Sequence, residues 1–288
     1  MISSIRRQIK KVVVVGAGQM GSGIAYVSAV HAKKQTVLVD DQKVLDKAKA
    51  YFDKLLEKDA AKNRLDTSKE TINSRFIYQT SVERAVGDAD FVIEAIPEKL
   101  ELKQSLLQKV DKALPLHGII ASNTSSIPIT TLAAMTSRPD KVLGVHFMNP
   151  VPVLKLCEVI RGLQTSDDTY EKSIQLAKEM KKTITTSTDV PGFISNRLLC
   201  PYINEAVMAL EQGIGTKEDI DTTMTLGMAH PMGPLKLADL IGLDTVLNIM
   251  NILHSELGDK YRPATLLKSM VSAKRYGKKS GRGFYLYE

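Results

Sequence analysis

A run of valines near the start of the chain leads directly into three closely spaced glycines. The run, Lys11–Val15, has the composition of a β-strand, and Gly16, Gly18 and Gly21 follow it in the spacing Gly-x-Gly-x-x-Gly before a stretch of small residues. The first glycine of such a motif permits a tight turn, the second lets the backbone approach a bound group, and the third lets a helix pack closely on the strand. The motif therefore predicts a strand, a tight turn and a helix at the start of an α/β fold.

An acidic residue farther along the chain indicates what this turn binds. Asp40 lies 19 residues after Gly21, at the end of the second predicted strand, residues 36–39. A helix N-terminus attracts a pyrophosphate, and a carboxylate at this position accepts a hydrogen bond from a ribose 2′-OH and repels a 2′-phosphate. The predicted cofactor is therefore NAD rather than NADP, with a glycine turn that binds no ligand as the alternative. The predicted cofactor-binding residues of this region are Gly16, Ala17, Gly18, Gln19, Met20, Gly21 and Asp40.

Strand and helix signals alternate up to about residue 188. Further strands are predicted at residues 76–78, 91–94, 118–121, 142–146 and 153–160, and helices at residues 44–63 and 99–113. This alternation predicts a Rossmann-type, doubly wound parallel sheet with helices on both faces.

The pattern changes at the turn cluster Asp189-Val-Pro-Gly192, after which strand signals nearly vanish. Helices are predicted at residues 193–211, 217–226, 234–257 and 262–274. The predicted domains are therefore 1–188, which binds NAD and has a helical arm at about 43–73, and an all-helical domain, 189–288.

Composition narrows the class of protein. The chain has 288 residues, of which 43% are hydrophobic, and this excludes a disordered or collagen-like chain. No apolar run approaches the roughly 20 residues that span a bilayer. Two cysteines without metal or redox spacing predict no metal site and a reducing compartment.

The net charge of +7 is concentrated in residues 260–288, which contain eight basic residues and one acidic residue. Such a segment is compatible with nucleic acid, a membrane surface or a phosphorylated ligand. Nucleic-acid binding would require interleaved aromatic residues or a recognition helix, and the aromatic residues here lie in or after a glycine turn. These residues therefore argue against nucleic acid, and a membrane surface and a phosphorylated ligand stay open.

The N-terminal residues 1–10 contain no acidic residue, two serines and three basic residues. This is the composition of a short mitochondrial transit segment, and equally of a basic leader to the first strand. The prediction is the mitochondrial matrix, with the cytoplasm as the alternative. No hydrophobic signal-peptide segment is present in these residues, so secretion is not expected.

A histidine and a glutamate near the middle of the chain suggest acid–base chemistry. His146 closes one predicted strand, and Glu158 lies twelve residues later in an apolar run. Two strands joined by the proline-rich turn between them would place the carboxylate beside the imidazole. Such pairing fixes the tautomer and raises the basicity of a general base. A purely structural pair is the alternative, just as the hydroxyl cluster at residues 122–126 could cap a helix.

Six segments resemble the short-chain L-3-hydroxyacyl-CoA dehydrogenase family, which includes 3-hydroxybutyryl-CoA dehydrogenases. They cover nearly the whole chain: residues 16–21, 122–126, 146–150 with Glu158, 189–197, 230–234 and 277–284. The resemblance implies NAD-dependent oxidation of an L-3-hydroxyacyl-CoA to the 3-ketoacyl-CoA, as in fatty-acid β-oxidation.

The resemblance also implies catalytic roles. His146 would take the proton of the substrate 3-hydroxyl, and Glu158 would hold the imidazole in the right tautomer and stabilise its cation. Ser125 and Asn196 would hydrogen-bond the reacting oxygen or the thioester carbonyl, and Ser125 is also counted among the cofactor contacts.

Other contacts follow from the same resemblance. Asn149 would lie near the nicotinamide, Glu98 and Lys103 on the ribose side of the cofactor, and Lys279 against the cofactor. Lys54 and Lys58, on the helical arm, would contact the CoA nucleotide, although a solvated lysine face looks the same in sequence. A homodimer through the C-terminal domain is also implied, and the small and apolar residues 206–210 and 237–246 are consistent with it.

Two other functions are considered. A dehydrogenase of a free hydroxy acid or sugar acid would share the fold and lack the CoA arm. A non-catalytic cofactor-binding relative would require a broken site, whereas Ser125, His146, Glu158 and Asn196 are all present.

Overall fold

The computed structural model describes residues 8–288, so most of the predicted transit segment lies outside the described residues. The chain divides into two compact units, Met1–Asp189 and Val190–Glu288.

The first unit is built on one sheet of eight strands in the order β3-β2-β1-β4-β5-β6-β7-β8. The strands are β1 Lys11–Val15, β2 Gln35–Val39, β3 Phe76–Gln79, β4 Phe91–Glu94, β5 Ile119–Ser122, β6 Val142–Phe147, β7 Leu156–Arg161 and β8 Thr183–Thr188. Strands β1 to β6 run parallel to one another, and strands β4 to β6 lie on the side of β1 opposite to β2 and β3. This arrangement confirms the predicted Rossmann-type sheet.

Seven α-helices among the described residues of this unit connect the strands. They are α1 Gln19–Val30, α2 Gln42–Ala61, α3 Lys69–Asn73, α4 Val82–Val86, α5 Leu100–Ala113, α6 Ile129–Ala133 and α7 Asp167–Glu179. Helix α1 is buried along nearly its whole length. The arm helix α2 packs on the sheet through Phe52, whose ring stacks on Phe76 at 4.5 Å between centroids.

The end of the sheet differs from the prediction. Strands β6 and β7 are antiparallel, because the short turn between them cannot form the crossover of a dozen or more residues that a parallel pair requires. Strand β8 was not predicted from the sequence. It is a threonine-rich edge strand without a fully buried position, so it lacks the hydrophobic signal of a central strand.

The second unit is helical, as predicted. Its α-helices are α8 Ser195–Glu211, α9 Lys217–Thr222, α10 Pro234–Ile241, α11 Leu243–Leu257 and α12 Thr265–Ser272. A π-helical segment, Thr223–Gly227, continues from α9. The core includes Ile203, Val207, Leu235 and Leu253, all fully buried.

One predicted helix of this unit is two helices. Residues 234–257 bend by 97° at Gly242, whose φ of +103° lies outside the helical region and is tolerated by glycine. No single helix among residues 8–288 is long and apolar enough to cross a membrane, and only α10 and α11 taken together across their bend reach that length and composition.

Candidate active site

The glycine turn after β1 has three glycines with three different surroundings. Gly16 has a φ of +99°, and a Cβ there would lie 2.5 Å from the carbonyl oxygen of Ala95. A Cβ on Gly21 would lie 1.7 Å from the carbonyl oxygen of Gly16. A Cβ on Gly18 would meet nothing within 4 Å. The outer glycines are therefore required by close packing, whereas Gly18 faces open space.

A cleft of about 600 Å³ lies over this turn. Its lining includes Gly16, Gly18, Gln19, Met20, Asp40, Thr80 and Pro97. Asp40 accepts a hydrogen bond of 2.6 Å from the backbone N–H of Ala17 and so stands directly beside the turn. No side chain caps the N-terminus of α1, so its first N–H groups remain available to an anion. These features fit a dinucleotide, and the first unit brings all seven predicted residues of this region together.

A second group of side chains lies where β5, β6 and β7 meet. His146 is paired with Glu158 in the antiparallel register of β6 and β7, and its Nδ1 lies 2.9 Å from Glu158 Oε2. The Nε2 atom of the same ring lies 3.0 Å from the hydroxyl of Ser125. His146 and Glu158 are only 6% and 1% exposed. Three predicted catalytic residues, Ser125, His146 and Glu158, therefore lie in one hydrogen-bonded row.

A side chain of the loop that carries Ser125 is hydrogen-bonded to the backbone of β6. Asn123, the first residue after β5, accepts a 2.9 Å hydrogen bond from the N–H of Phe147, the residue after His146. At the other end of the loop, the carboxylate of Asp189 accepts hydrogen bonds from the N–H groups of Ile129 and Thr130, at the start of α6. The loop is thus held on both sides of Ser125.

Glu98, in the connection between β4 and α5, binds the same loop. It accepts hydrogen bonds from the N–H groups of Ser125 and Ser126, at 2.9 Å and 3.0 Å, and from the hydroxyl of Thr124. Burial by itself would raise the pKa of Glu98, but the Lys103 ammonium and these hydrogen bonds outweigh it and hold the pKa below its ordinary value. Glu98 is therefore held as a carboxylate by the loop that it orders.

Lys103 lies between two carboxylates. Its ammonium is 2.6 Å from Glu94 and 3.2 Å from Glu98, and its side chain is 1% exposed. Glu94, at the end of β4, also accepts from the hydroxyl of Ser122 and the N–H of Ile96. The predicted ribose-side residues Glu98 and Lys103 thus form an ion cluster with Glu94, in which Lys103 and Glu94 are buried. Their contact with the cofactor remains a prediction.

The remaining predicted residues lie elsewhere in the chain. Asn149 is exposed on the turn after β6, and Lys54 and Lys58 are exposed on α2. Asn196 and Lys279 belong to the second unit: Asn196 is the second residue of α8, and the Lys279 ammonium pairs with Asp244 at 2.6 Å. The first unit alone therefore does not assemble the whole predicted residue set.

Two residues of the site were missed in the sequence. Glu94 was visible as an acidic residue at the end of an apolar strand, which is a position beside the ligand in such sheets. Asn123 carried no separate signal, because its role depends on the pairing of its side chain with the backbone of β6. Among the described residues, no cluster of three or more acidic, histidine or cysteine side chains could hold a metal ion.

A dinucleotide cleft in a Rossmann-type sheet, with a buried imidazole–carboxylate pair at the ends of adjoining strands, defines an NAD-dependent oxidoreductase. Family comparison is in agreement along the whole chain. Residues 11–190 match the model of the NAD binding domain of 3-hydroxyacyl-CoA dehydrogenase, and residues 192–287 match the model of its C-terminal domain. The chain belongs to the 3-hydroxyacyl-CoA dehydrogenase family.

Individual relatives agree with this assignment. A probable 3-hydroxybutyryl-CoA dehydrogenase of Bacillus subtilis is 50% identical over 98% of both chains. The human mitochondrial hydroxyacyl-coenzyme A dehydrogenase is 41% identical over 97% of this chain and 92% of its own. The crystal structure of (S)-3-hydroxybutyryl-CoA dehydrogenase from Ralstonia eutropha matches 98% of this chain and 100% of its own, with a TM-score of 0.93 and 46% identity.

Proposed function

We propose that this protein oxidises an L-3-hydroxyacyl-CoA to the corresponding 3-ketoacyl-CoA with NAD, and that it does so in fatty-acid β-oxidation. The observation that carries the proposal is the row from Ser125 through His146 to Glu158, beside a cleft that fits a dinucleotide. The substrate class comes from the relatives, which are named for hydroxyacyl-CoA and hydroxybutyryl-CoA.

In this mechanism His146 is the general base. Glu158 accepts the Nδ1–H of the imidazole, and this hydrogen bond leaves the lone pair of Nε2 free to accept a proton. In the resting site the Ser125 hydroxyl donates to Nε2, so the substrate hydroxyl takes over this position when it binds. Bound NAD supplies the hydride acceptor. As the proton moves to Nε2, Glu158 stabilises the imidazolium cation in a site that excludes most water.

The other predicted residues bind and orient the substrate and cofactor. Ser125, released from Nε2, hydrogen-bonds the reacting oxygen, and Asn196 is proposed for the same oxygen or for the thioester carbonyl. Asn149 and Lys279 are proposed as cofactor contacts. Lys54 and Lys58 are proposed as contacts of the CoA phosphates, since both ammonium groups are exposed on one helix.

The decisive experiment is steady-state NADH formation with L-3-hydroxyacyl-CoAs from C4 to C16. Replacement of His146 by Gln should lower kcat by about 10²–10⁴, the usual contribution of a general base. The His117→Gln variant is a matched control, because His117 pairs with Asp90 away from this row. A folded His146→Gln enzyme with wild-type turnover would refute the mechanism.

The same assay separates the proposal from oxidation of a free hydroxy acid. Free CoA should compete with the acyl-CoA substrate, and Lys58→Glu should weaken that competition because it places a carboxylate where phosphates bind. Equal turnover of the free acid and the thioester would favour the free-acid dehydrogenase instead.

The assembly and the compartment belong to the proposal as well. We propose a homodimer formed through the helical unit. Most of the residues that suggested it in the sequence, among them Val207, Ala238 and Val246, lie in the core of that unit. Leu198, Leu226 and Met228 are exposed apolar side chains of the helical unit and are the proposed contacts of the dimer. The mitochondrial location remains a prediction that rests on residues 1–10, and the bacterial relatives, which are more similar than the human one, favour the cytoplasm.

A further inference from the structure

One lysine in the first unit is buried without an acidic partner. Lys182, in the connection between α7 and β8, is 8% exposed. Among residues 8–288, its ammonium pairs with backbone carbonyls and with no carboxylate: it donates to the carbonyl oxygens of Val151 and, at 2.8 Å, of Leu154. Both carbonyls belong to the turn between β6 and β7. A charged side chain therefore holds the backbone of the turn that follows His146.

Two further sets of contacts hold the same turn, one with α1 and one within the turn. Val151 packs against α1 at Gly23, where a Cβ would lie 2.8 Å from the Cβ of Val151. Within the turn, the N–H groups of Val153 and Leu154 both donate to the carbonyl of Pro150. The β6–β7 turn thus packs against the helix that begins at the glycine turn, and Lys182 adds hydrogen bonds from the connection between α7 and β8.

The free-energy cost of burying Lys182 indicates that this lysine does more than stabilise the fold. Burial lowers the pKa of Lys182, which reflects the cost of removing an ammonium from water. An apolar side chain of similar size would avoid this cost. What an apolar side chain could not do is satisfy the two carbonyls of the turn, so the charge fixes one conformation of this backbone.

We propose that Lys182 is a positioning residue for the cofactor: its ammonium holds the β6–β7 turn in the conformation that places Asn149 for the nicotinamide. This inference rests on the proposed function, because the role of Asn149 belongs to that proposal. Lys182 itself contacts neither substrate nor cofactor in this scheme, and it acts through the backbone of the turn.

The first test is Lys182→Met, which keeps the apolar stem and removes the donors. We expect the dissociation constant of NADH, measured by cofactor fluorescence, to rise about two- to thirtyfold, the range for residues that act through others. The KM for the acyl-CoA should change by less than about twofold. In the apo protein, hydrogen exchange at the Val153 and Leu154 amides should accelerate. The neighbouring exposed Lys181→Met is the matched control and should change none of these values.

The second test is a double-mutant cycle with Asn149→Ala. If Lys182 acts through Asn149, the double variant binds NADH about as weakly as the weaker single variant. Three outcomes would each overturn the inference. They are losses of NADH binding free energy that add in the double variant, an unchanged NADH affinity in Lys182→Met, and an unchanged NADH affinity in Asn149→Ala. If Lys182→Met does not fold, Lys182→Arg, which keeps charged donors, must bind NADH better than Lys182→Gln, whose amide donors carry no charge. The proposed function is judged separately by His146→Gln, whose result does not depend on this cycle.

Discussion

At the scale of single residues, two glutamates beside the site, Glu158 and Glu98, have different tasks. Glu158 orders a side chain, since it binds Nδ1 of His146, whereas Glu98 orders a backbone loop, since it accepts N–H groups of Ser125 and Ser126. The loop in turn presents the Ser125 hydroxyl to the imidazole. Protonation of Glu98 would therefore loosen the Ser125 hydroxyl, a proposed catalytic group that the Glu98 carboxylate does not contact.

This role predicts a specific pH dependence of stability. The pKa of Glu98 in the folded protein lies below its ordinary value of 4.5, so its stabilising effect is complete above that value and is lost as the pH falls through the folded pKa. The difference in free energy of unfolding between the wild type and Glu98→Gln should therefore shrink on acidification below about 4.5. Urea unfolding on both sides of this pH measures it.

The exposed Glu57 on α2 offers a matched control for this prediction. The Glu57→Gln variant should differ little from the wild type at every pH, within the about 0.5 kcal/mol usual for surface changes. A Glu98→Gln deficit that stays constant or grows in acid would contradict the assigned role.

At the scale of elements, chain direction determines which side chains meet. The antiparallel pair β6–β7 brings Glu158 opposite His146, because a short turn returns the chain beside the strand it has just left. The parallel strands β4 and β5 bring Glu94 and Ser122 into register, and these two side chains share a hydrogen bond. The site is therefore assembled by strand pairing, and the loops complete it.

The C-terminal end of α5 shows how such elements are secured. Arg138 donates from its guanidinium to the carbonyls of Asp111, Leu114 and Pro115 and to the carboxylate of Asp111. A helix end leaves carbonyl groups without partners within the helix, and this one side chain satisfies several of them.

Replacement of Arg138 by Met should therefore lower the free energy of unfolding by about 2–4 kcal/mol, since charged hydrogen bonds to buried carbonyls are lost. Thermal or urea unfolding provides the measurement. Lys112→Met, at an exposed position in the last turn of the same helix, should cost less than about 0.5 kcal/mol. Equal losses of unfolding free energy in the two variants would show that the hydrogen bonds of Arg138 do not stabilise α5.

At the scale of the whole molecule, each unit has its own core and its own buried anchors. In the helical unit, the C-terminal residues Phe284 and Tyr285 donate their N–H groups to the buried carboxylate of Asp239. Burial raises the pKa of Asp239, and the two N–H groups with the hydroxyl of Tyr287 offset part of that rise. The basic C-terminal segment is thereby fastened to the core of its unit, which leaves its lysines at the surface.

The proposed dimer is a prediction at this scale. Light scattering at micromolar concentration should give twice the mass of one chain. Leu226→Glu in the helical unit should shift the mass toward one chain, because a carboxylate in an apolar interface is strongly unfavourable. Leu116→Glu, at an equally exposed leucine of the first unit, should leave the mass unchanged. A wild-type monomer, or equal behaviour of both variants, would refute the dimer.

The sequence by itself determined the class of fold and the cofactor, and it predicted the chemistry-bearing residues. Local patterns carry this information, because the glycine spacing, the position of Asp40 and the alternation of strands and helices each depend on neighbouring residues. The pairing of His146 with Glu158 was also readable, since only a short turn separates them.

Only the tertiary structure decided what depends on distant contacts. The edge strand β8 and the hold of Lys182 on the β6–β7 turn both join residues far apart in the chain. The carboxylates of Glu94 and Glu98 likewise accept hydrogen bonds from the distant Ser122 and Ser125. No local pattern marks a buried lysine, because its cost in free energy is offset only by partners that folding brings to it. The sequence therefore predicted the reacting groups, and the folded chain decided what holds these side chains in place.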